Sequence, residues 1–211
     1  MKKDFAWLTV ILISAFIYTG CSPKAKYEHR LKRELASGVR YDSLFMGFYF
    51  GMPEKEFYLH CWKLNQKGLA RQGESNNTVL CQLKNELKYP ATMDFYPRFT
   101  EGKIFEVPVR FKYVGWAPWN KNLTSDNLQL KILKWYESIY GKGFIEVKHP
   151  ARGSAFVKID GNRRITIFKE NELYVWAVFT NMLIKRDWKN FDPGEGIIPA
   201  DTIKELSRQD G

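Results

Sequence analysis

The chain has 211 residues, of which 45% are hydrophobic and 16% aromatic, and its formal net charge is +10. This length and composition predict one globular domain with a core of ordinary size and exclude an intrinsically disordered protein. The basic balance fits nucleic acid, anionic lipid or acidic glycans, and it also fits a generally basic surface, because net charge governs association and not fold.

The N-terminal segment has the parts of an export signal in their usual order. Lys2 and Lys3 precede an apolar run over residues 5–18. This run is shorter than the about 20 apolar residues that a membrane span needs, and it fits the apolar region of a signal peptide. Two small residues and then Cys21 follow it.

The sequence Tyr18-Thr19-Gly20-Cys21 resembles the lipobox of bacterial lipoproteins, in the looser form found in Bacteroidota, with Tyr18 where leucine is usual. The resemblance implies that residues 1–20 are removed and that Cys21 is lipidated, which would anchor the chain in the membrane. Removal of two lysines and one aspartate would leave a net charge of +9. An uncleaved anchor or an ordinary secretory signal is the alternative. An export signal takes the protein away from nucleic acid, so no nucleic acid partner is predicted.

The residues after Cys21 bear on the final location. Ser22 stands where an aspartate would favour the inner membrane, and residues 22–26 are basic, without the acidic cluster of surface-displayed lipoproteins. The resemblance therefore implies an outer-membrane lipoprotein that faces the periplasm. Asp42-Ser43-Leu44 and Asp201-Thr202-Ile203 resemble the tripeptide that Bacteroidota glycosylate, which makes Ser43 and Thr202 candidate O-glycosylation sites.

The rest of the chain divides into three parts. Residues 21–40 are predicted to be the lipidated cysteine and a basic tether, in which Leu31 and Leu35 have the spacing of a short helix; a solvated linker is the alternative. Residues 41–188 are predicted to form a single α+β domain, and residues 189–211 a polar C-terminal tail.

The first half of this domain, residues 41–120, predicts one helix and several strands. The continuous apolar run 44–50 predicts a strand covered on both faces. A helix is expected after Pro53, with Phe57, Cys61 and Leu64 on its buried stripe. Further strands are expected over residues 79–84, 91–99 and 104–114, and Pro108 predicts an edge position or a bulge for the last.

The second half, residues 121–188, predicts the same order of elements. A helix capped by Thr124 or Ser125 carries an apolar stripe at Leu128, Ile132, Trp135 and Ile139, and Gly141 ends it. Strands follow over residues 144–148, 155–160, 164–169 and 173–180. Asp160-Gly161-Asn162 predicts a tight hairpin turn.

The two halves therefore suggest a tandem repeat of helix plus meander. Trp62 precedes Gly68 by six positions, as Trp135 precedes Gly141. The turn Phe50-Gly51-Met52-Pro53 and the following Phe57 resemble the start of the β-lactamase-inhibitor-protein-like fold. The resemblance implies two helices packed on one or more antiparallel meander sheets; it does not imply a function.

Cys61 and Cys81 remain for the mature body and are candidates for a disulfide bond in an oxidising compartment. Such a bond would close a loop of about twenty residues and stabilise the fold by roughly 3 kcal/mol. The alternative is two buried thiols that act as small apolar groups.

No recognised catalytic motif accompanies this fold pattern. The chain has three histidines, none in a zinc-binding spacing, and it lacks a Gly-x-Ser-x-Gly elbow and a phosphate-binding loop. The sequence therefore predicts no catalytic residue, no metal and no cofactor. We expect a non-enzymatic binding or assembly module that docks another envelope protein.

Two groups of residues are candidate ligand contacts. Trp116 and Trp119 flank Pro118 and could stack on sugars or lie at lipid head groups, or instead cover a sheet edge. The arginines Arg152, Arg163 and Arg164 could form an anion site, or be scattered surface charges. These residues motivate the alternative function, a glycan- or lipid-binding protein or hydrolase.

Overall fold

The computed structural model describes residues 23–73, 78–149 and 153–184. These residues form three α-helices, Pro23–Ala36 (α1), Glu54–Gln66 (α2) and Ser125–Tyr140 (α3), and a short 3-10 helix, Lys121–Leu123. They also form nine strands: Arg71–Gln72 (β1), Val79–Leu83 (β2), Ala91–Phe95 (β3), Arg98–Thr100 (β4), Lys103–Tyr113 (β5), Ile145–His149 (β6), Gly153–Asp160 (β7), Arg163–Lys169 (β8) and Val175–Asn181 (β9). The predicted α+β class is confirmed.

The nine described strands form one antiparallel sheet. Its order is β1-β2-β3-β5-β9-β8-β7-β6, and β4 pairs with β5 beyond the end of β3. The long strand β5 pairs with the last strand, β9, along six residues, with Val109 opposite Ala177. This central pairing joins the strands of the first half to those of the second.

The main core lies between one face of this sheet and the helices α2 and α3. Helix α2 contributes Phe57 and Leu64, and α3 contributes Leu128, Ile132 and Tyr136, all at most 7% exposed. The i, i+4 and i+7 or i+8 spacings put these side chains on one stripe of each helix. Ile139, predicted to lie on the stripe of α3, is 52% exposed instead, because Tyr136 takes the buried position of that turn.

Residues 44–50 are not the predicted strand; they form a tight turn. Leu44 donates a backbone hydrogen bond to Phe48 over 2.9 Å, and the chain reverses through the left-handed residues Met46, with φ 49°, and Gly47, with φ 84°. Leu44 and Phe48 are 5% and 1% exposed. The run is apolar because this turn is buried beneath the helices. An apolar run alone does not distinguish a buried turn from a strand that is covered on both faces.

Helix α1 packs on the opposite face of the sheet. Tyr27 and Leu31 are each 1% exposed and form a second apolar cluster with Val157 and Ile159 of β7. The register of β7 and β8 turns these two strand residues away from the main core. Residues 23–36 of the predicted tether are thus helical and docked, and a solvated linker does not describe them.

Polar contacts fix the end of α1. The Gly161 backbone N–H donates to the Glu34 carboxylate over 3.1 Å. Burial alone would raise the pKa of Glu34, but this hydrogen bond and the charges of Arg33 and Arg30 outweigh burial and lower that pKa. The ionised carboxylate therefore holds α1 to the β7–β8 turn.

The β7–β8 hairpin has the predicted tight turn, whereas Pro108 does not lie at an edge. Gly161 has φ 51°, and a Cβ atom there would collide with the carbonyl oxygen of Val39, so the turn requires glycine. Pro108 lies in central strand β5, opposite Val178. On its other side the neighbouring strand changes from β3 to β4, so the ladder is already interrupted where proline lacks its N–H.

Candidate functional site: an aromatic surface on helix α2

Helix α2 exposes two large aromatic side chains. Its buried stripe holds Phe57 and Leu64, so Tyr58 and Trp62 point away from the core. They are 50% and 59% exposed. Because they are four residues apart, they are neighbours on the helix surface. This pair is an apolar feature that the core of the protein does not use.

A groove of about 280 Å³ runs beside this pair. It lies between α2, the short edge strand β1 and the turn between β3 and β4. Its walls combine aromatic, aliphatic and polar groups: Phe57, Tyr58, Cys61, Trp62, Asn65, Ala70, Arg71, Gln72, Thr78, Val79 and Tyr96. We call Tyr58, Trp62, Tyr96 and this groove the α2 aromatic surface.

The tyrosines of this surface hold each other in place. The hydroxyl oxygens of Tyr58 and Tyr96 are 2.6 Å apart, in hydrogen-bond contact. The ring of Tyr96 packs edge-on against Phe57, with centroids 5.9 Å apart. Burial, and then the hydrogen bond from Tyr58, raise the pKa of Tyr96 above its ordinary value. The surface is therefore partly pre-organised, which lowers the entropic cost of binding.

Polar groups form the rim of the groove. The Asn65 side chain donates to the carbonyl of Ala70 over 3.0 Å and so fixes the chain between α2 and β1. Arg71 and Gln72 of β1 follow and are exposed. The surface thus combines an aromatic centre with an arginine and amides at its edge, and tyrosine, tryptophan and arginine are residue types enriched at protein–protein interfaces.

The two predicted disulfide partners lie on α2 and on the neighbouring strand β2. Cys61 of α2 lines the groove and is half-buried, Cys81 of β2 is buried, and both thiols are free in this structure. The Cys81 thiol lies 3.7 Å from the sulfur of Met46. Burial raises the pKa of Cys61 to about 11 and that of Cys81 to about 12. The disulfide stays a prediction.

Free thiols would react slowly in the folded protein. At pH 8 a pKa of about 11 in place of 9 leaves about a hundredfold less thiolate at Cys61. We therefore expect iodoacetamide to label native protein about a hundredfold more slowly than protein in guanidinium chloride. Mass spectrometry of denatured, unreduced Cys21→Ser protein, in which Cys61 and Cys81 are the remaining cysteines, would find two labels for free thiols and none for a disulfide; fast labelling of the native protein would contradict the burial.

The tryptophans of the 115–120 loop have different environments. Trp116 is half-buried and packs against the main core, whereas Trp119 is 84% exposed. Trp116 is therefore occupied with covering the core. Trp119 alone presents its ring to solvent.

Arg163 and Arg164 do not meet in one site, because neighbours in a strand point to opposite faces. Arg163 is buried, donates to the carbonyl of Ser43 over 2.7 Å and lies over the rings of Tyr41 and Tyr140. On the other face, Arg164 donates to the Tyr27 hydroxyl over 3.3 Å. Both guanidinium groups thus serve internal contacts.

The remaining predicted residues divide between surface positions and undescribed parts of the chain. Ser43 is exposed, next to the buried Leu44. Cys21, Arg152 and Thr202 lie outside the described residues. Lipidation at Cys21, the part of Arg152 in an anion site and glycosylation at Thr202 therefore stay predictions.

The described residues also bear on two other features, a metal site and a membrane-spanning helix. In residues 23–73, 78–149 and 153–184, no group of three histidine, cysteine or acidic side chains is arranged to hold a metal ion. In the same part of the chain, no helix has the length and apolar character to cross a membrane. His60 instead contacts the carbonyl of Met46 at 2.7 Å and packs against Phe48.

No known protein-family model matches the chain, and no curated protein or solved structure is significantly similar to it. The function of the site must therefore be inferred from the residues that form it. The α2 aromatic surface lacks an assembled nucleophile or acid–base pair, as far as the described residues go, and its groups suit recognition. The sequence carried a signal for it, because Tyr58 and Trp62 are apolar residues that lie off the buried stripe of their own helix.

Proposed function

We propose that this chain is a lipid-anchored envelope lipoprotein that acts as a non-enzymatic docking module. In this proposal Cys21 carries the lipid, the body faces the periplasm at the outer membrane, and the α2 aromatic surface binds another envelope protein. The observation that carries the docking role is the exposure of Tyr58 and Trp62 beside a preformed groove. Exposed paired aromatics of this kind are the commonest binding hot spots.

The expected partner presents an apolar or aromatic side chain to the groove. The walls at Phe57 and Val79 are apolar, so insertion of such a side chain would release water from apolar surface. Amide and carboxylate groups of the partner would meet Asn65, Arg71 and Gln72 at the rim. The partner is therefore expected to bind by shape and burial, with little dependence on ionic strength.

Removal of the two exposed aromatics should abolish capture of the partner. We expect Tyr58→Ala with Trp62→Ala to weaken binding by at least about 30-fold, because each hot-spot aromatic contributes about 2 kcal/mol or more. The measurement is affinity capture from crosslinked envelopes, quantified by mass spectrometry against wild type.

The matched control is Trp119→Ala, which removes a tryptophan that is even more exposed, at 84% against 59% for Trp62, from a different surface. It should leave the captured protein unchanged. If the double variant retains the same partner at the same yield, the docking role of α2 is wrong. If only Trp119→Ala loses it, the partner binds the 115–120 loop instead.

The anchor is tested separately, since it rests on the sequence of residues 1–22. Cys21→Ala should abolish incorporation of labelled fatty acid and leave the precursor unprocessed, because the acylated atom is the cysteine sulfur. Cys61→Ala is the control and should be acylated normally. Label incorporation into the Cys21→Ala protein would contradict the lipoprotein assignment.

We further propose that the body is a tandem helix-plus-meander repeat related to the β-lactamase-inhibitor-protein-like fold. The symmetric strand order supports this: β1, β2, β3 and β5 run inward from one edge, and β6, β7, β8 and β9 run inward from the other. Each set follows its own helix in the chain, α2 or α3. Helix α1 would be an addition to that plan.

The alternative function, glycan or lipid binding, is favoured by one observation, the 84% exposure of Trp119. A free indole face suits stacking on a sugar ring. A glycan and lipid array that shows binding by wild type and not by Trp119→Ala would establish this activity; an array without binding would remove it.

A further inference from the structure

A second cavity lies between the 44–50 turn, the C-terminal end of α3 and strands β2 and β3. Its volume is about 400 Å³. The walls are mostly apolar and include Leu44, Met46, Leu83, Met93, Trp135 and Tyr136. The main core does not fill this space, although it lies between two well-packed halves. A cavity of this size and composition is in the range of small-molecule sites, about 300–1,000 Å³.

The mouth of this cavity is marked by apolar side chains in solvent. Leu69 and Ile139 line it and are 53% and 52% exposed. Ile139 lies at the end of α3, one turn beyond the buried Tyr136. It is therefore an apolar residue that the packing of α3 on the sheet does not require. Two polar residues, Gln82 and Glu86, complete the mouth.

A polar recess of about 520 Å³ adjoins the mouth. The recess shares Leu69, Gln82 and Glu86 with the cavity and adds the exposed cations Arg71 and Lys84. An apolar cavity thus lies next to an outer recess that is lined by two cations and one carboxylate. This division into an apolar interior and a net positive entrance matches the two ends of an anionic amphiphile.

We propose that the cavity binds the hydrocarbon chain of a single-chain anionic amphiphile, such as a fatty acid, with its head group beside Arg71 and Lys84. The methionine sulfurs of Met46 and Met93 are polarisable and adapt to a flexible chain. The cations retain the head group at the surface, where it stays hydrated. The head-group recess shares Arg71 with the α2 groove, whereas Lys84 and the apolar cavity lie outside that groove, so this proposal does not depend on the docking role.

Fluorescence quenching by 9,10-dibromostearate tests the proposal, because bromine quenches tryptophan only near contact and Trp135 lines the cavity. The protein is the full-length chain with Cys21→Ser, so that no covalent acyl chain competes. We expect saturable quenching by dibromostearate and none by stearate. Trp135→Phe should lose most of the quenching, although six of the seven tryptophans remain.

Entry to the cavity is tested by a matched pair of substitutions on α3. Ile139→Glu places a negative charge at the mouth, where it repels the anionic head group, and should weaken binding at least about tenfold. Leu130→Glu makes the same change at a residue of similar exposure, 48%, that does not line the cavity, and should change binding less than about twofold. Leu69→Glu is a second mouth variant, used if circular dichroism shows that Ile139→Glu does not fold.

The head-group contact is tested at Lys84, which lies outside the α2 groove. Lys84→Gln should weaken dibromostearate binding about two- to fivefold, as expected for one exposed ion pair. It should leave binding of the uncharged dibromostearyl alcohol unchanged. Tyr58→Ala with Trp62→Ala should leave both titrations unchanged, which separates this proposal from the docking role.

Three results would overturn the proposal: no quenching by dibromostearate beyond that by stearate, full quenching in Trp135→Phe, or unchanged affinity in a folded Ile139→Glu or Leu69→Glu variant. Saturable quenching that depends on Trp135 and on the mouth residues would establish the site.

Discussion

Phe48→Ala is expected to lower the free energy of unfolding by about 3–5 kcal/mol, as for other buried phenylalanines cut to alanine. Phe48 is 1% exposed. Its ring centroid lies 5.5 Å from that of Phe57 and 4.8 Å from that of His60, both on α2, and 5.3 Å from that of Phe95 on β3. The residue therefore fills the space between α2 and the sheet, and its loss leaves a cavity beneath the helix.

Urea unfolding followed by circular dichroism measures this effect. Tyr58→Ala is the matched control, since it removes an aromatic ring of similar size that is 50% exposed, and it should cost less than about 1 kcal/mol. The contrast separates the side chains that hold α2 in place from those that α2 presents. A loss below about 1.5 kcal/mol for Phe48→Ala would mean that the 44–50 turn is not packed as described.

Asp160→Ala is expected to cost about 3–5 kcal/mol, because it would leave buried positive charges without their carboxylate. Asp160 accepts from the Lys158 ammonium, with one carboxylate oxygen at 2.6 Å, and lies 3.5 Å from the Arg163 guanidinium. The side chains of Lys158 and Arg163 are only 6% and 8% exposed. Arg30 of α1 reaches the same carboxylate at 3.7 Å, so the loss would also loosen α1.

The control for Asp160 is an exposed acidic residue with a single cationic neighbour. Glu172 lies 3.8 Å from Lys169 and its side chain is 77% exposed. Glu172→Ala should change the free energy of unfolding by less than about 1 kcal/mol, since solvent screens such pairs. Equal effects of the two substitutions would contradict the buried charge cluster at the end of α1.

The periodicity of apolar residues and the residues typical of turns predict most of the helices and strands. The stripe of α2 follows directly from burial of one helix face, whereas β2 buries Leu80 as well as Cys81 and Leu83 and so does not show simple alternation. The β7–β8 turn follows from Asp160-Gly161-Asn162, because the turn requires a left-handed glycine. Local patterns of this kind act over a few residues and are readable without the fold.

The turn at residues 44–50 and the docking of α1 on the sheet could not be predicted, because both depend on distant partners, although the spacing of Leu31 and Leu35 does fit the helix itself. The apolar run fits a strand as well as a buried turn, and only the packing of α2 against it distinguishes the two structures. The tether contains two apolar positions, Tyr27 and Leu31, that gain a partner only when β7 presents Val157 and Ile159. Tertiary context therefore overrode the local pattern in both segments.

The candidate site was predicted even less well than the fold. Arg163 reads as a free surface charge in sequence, whereas it packs between Tyr41 and Tyr140. In the sequence, Trp62 indicates only the repeated spacing between a tryptophan and a glycine. Its 59% exposure in the structure makes it a candidate binding residue. A functional surface depends on which residues the fold leaves unused, and sequence periodicity reports mainly those that it uses.

The docking role is tested most directly by site-specific photo-crosslinking in living cells. A photoreactive phenylalanine analogue replaces Trp62 in the full-length chain, and the same analogue at Leu130, a similarly exposed residue of α3, is the control. We expect one discrete crosslinked envelope protein from position 62 and none from position 130. The absence of any adduct from position 62, or the same set of adducts from both positions, would contradict a partner bound at the α2 aromatic surface.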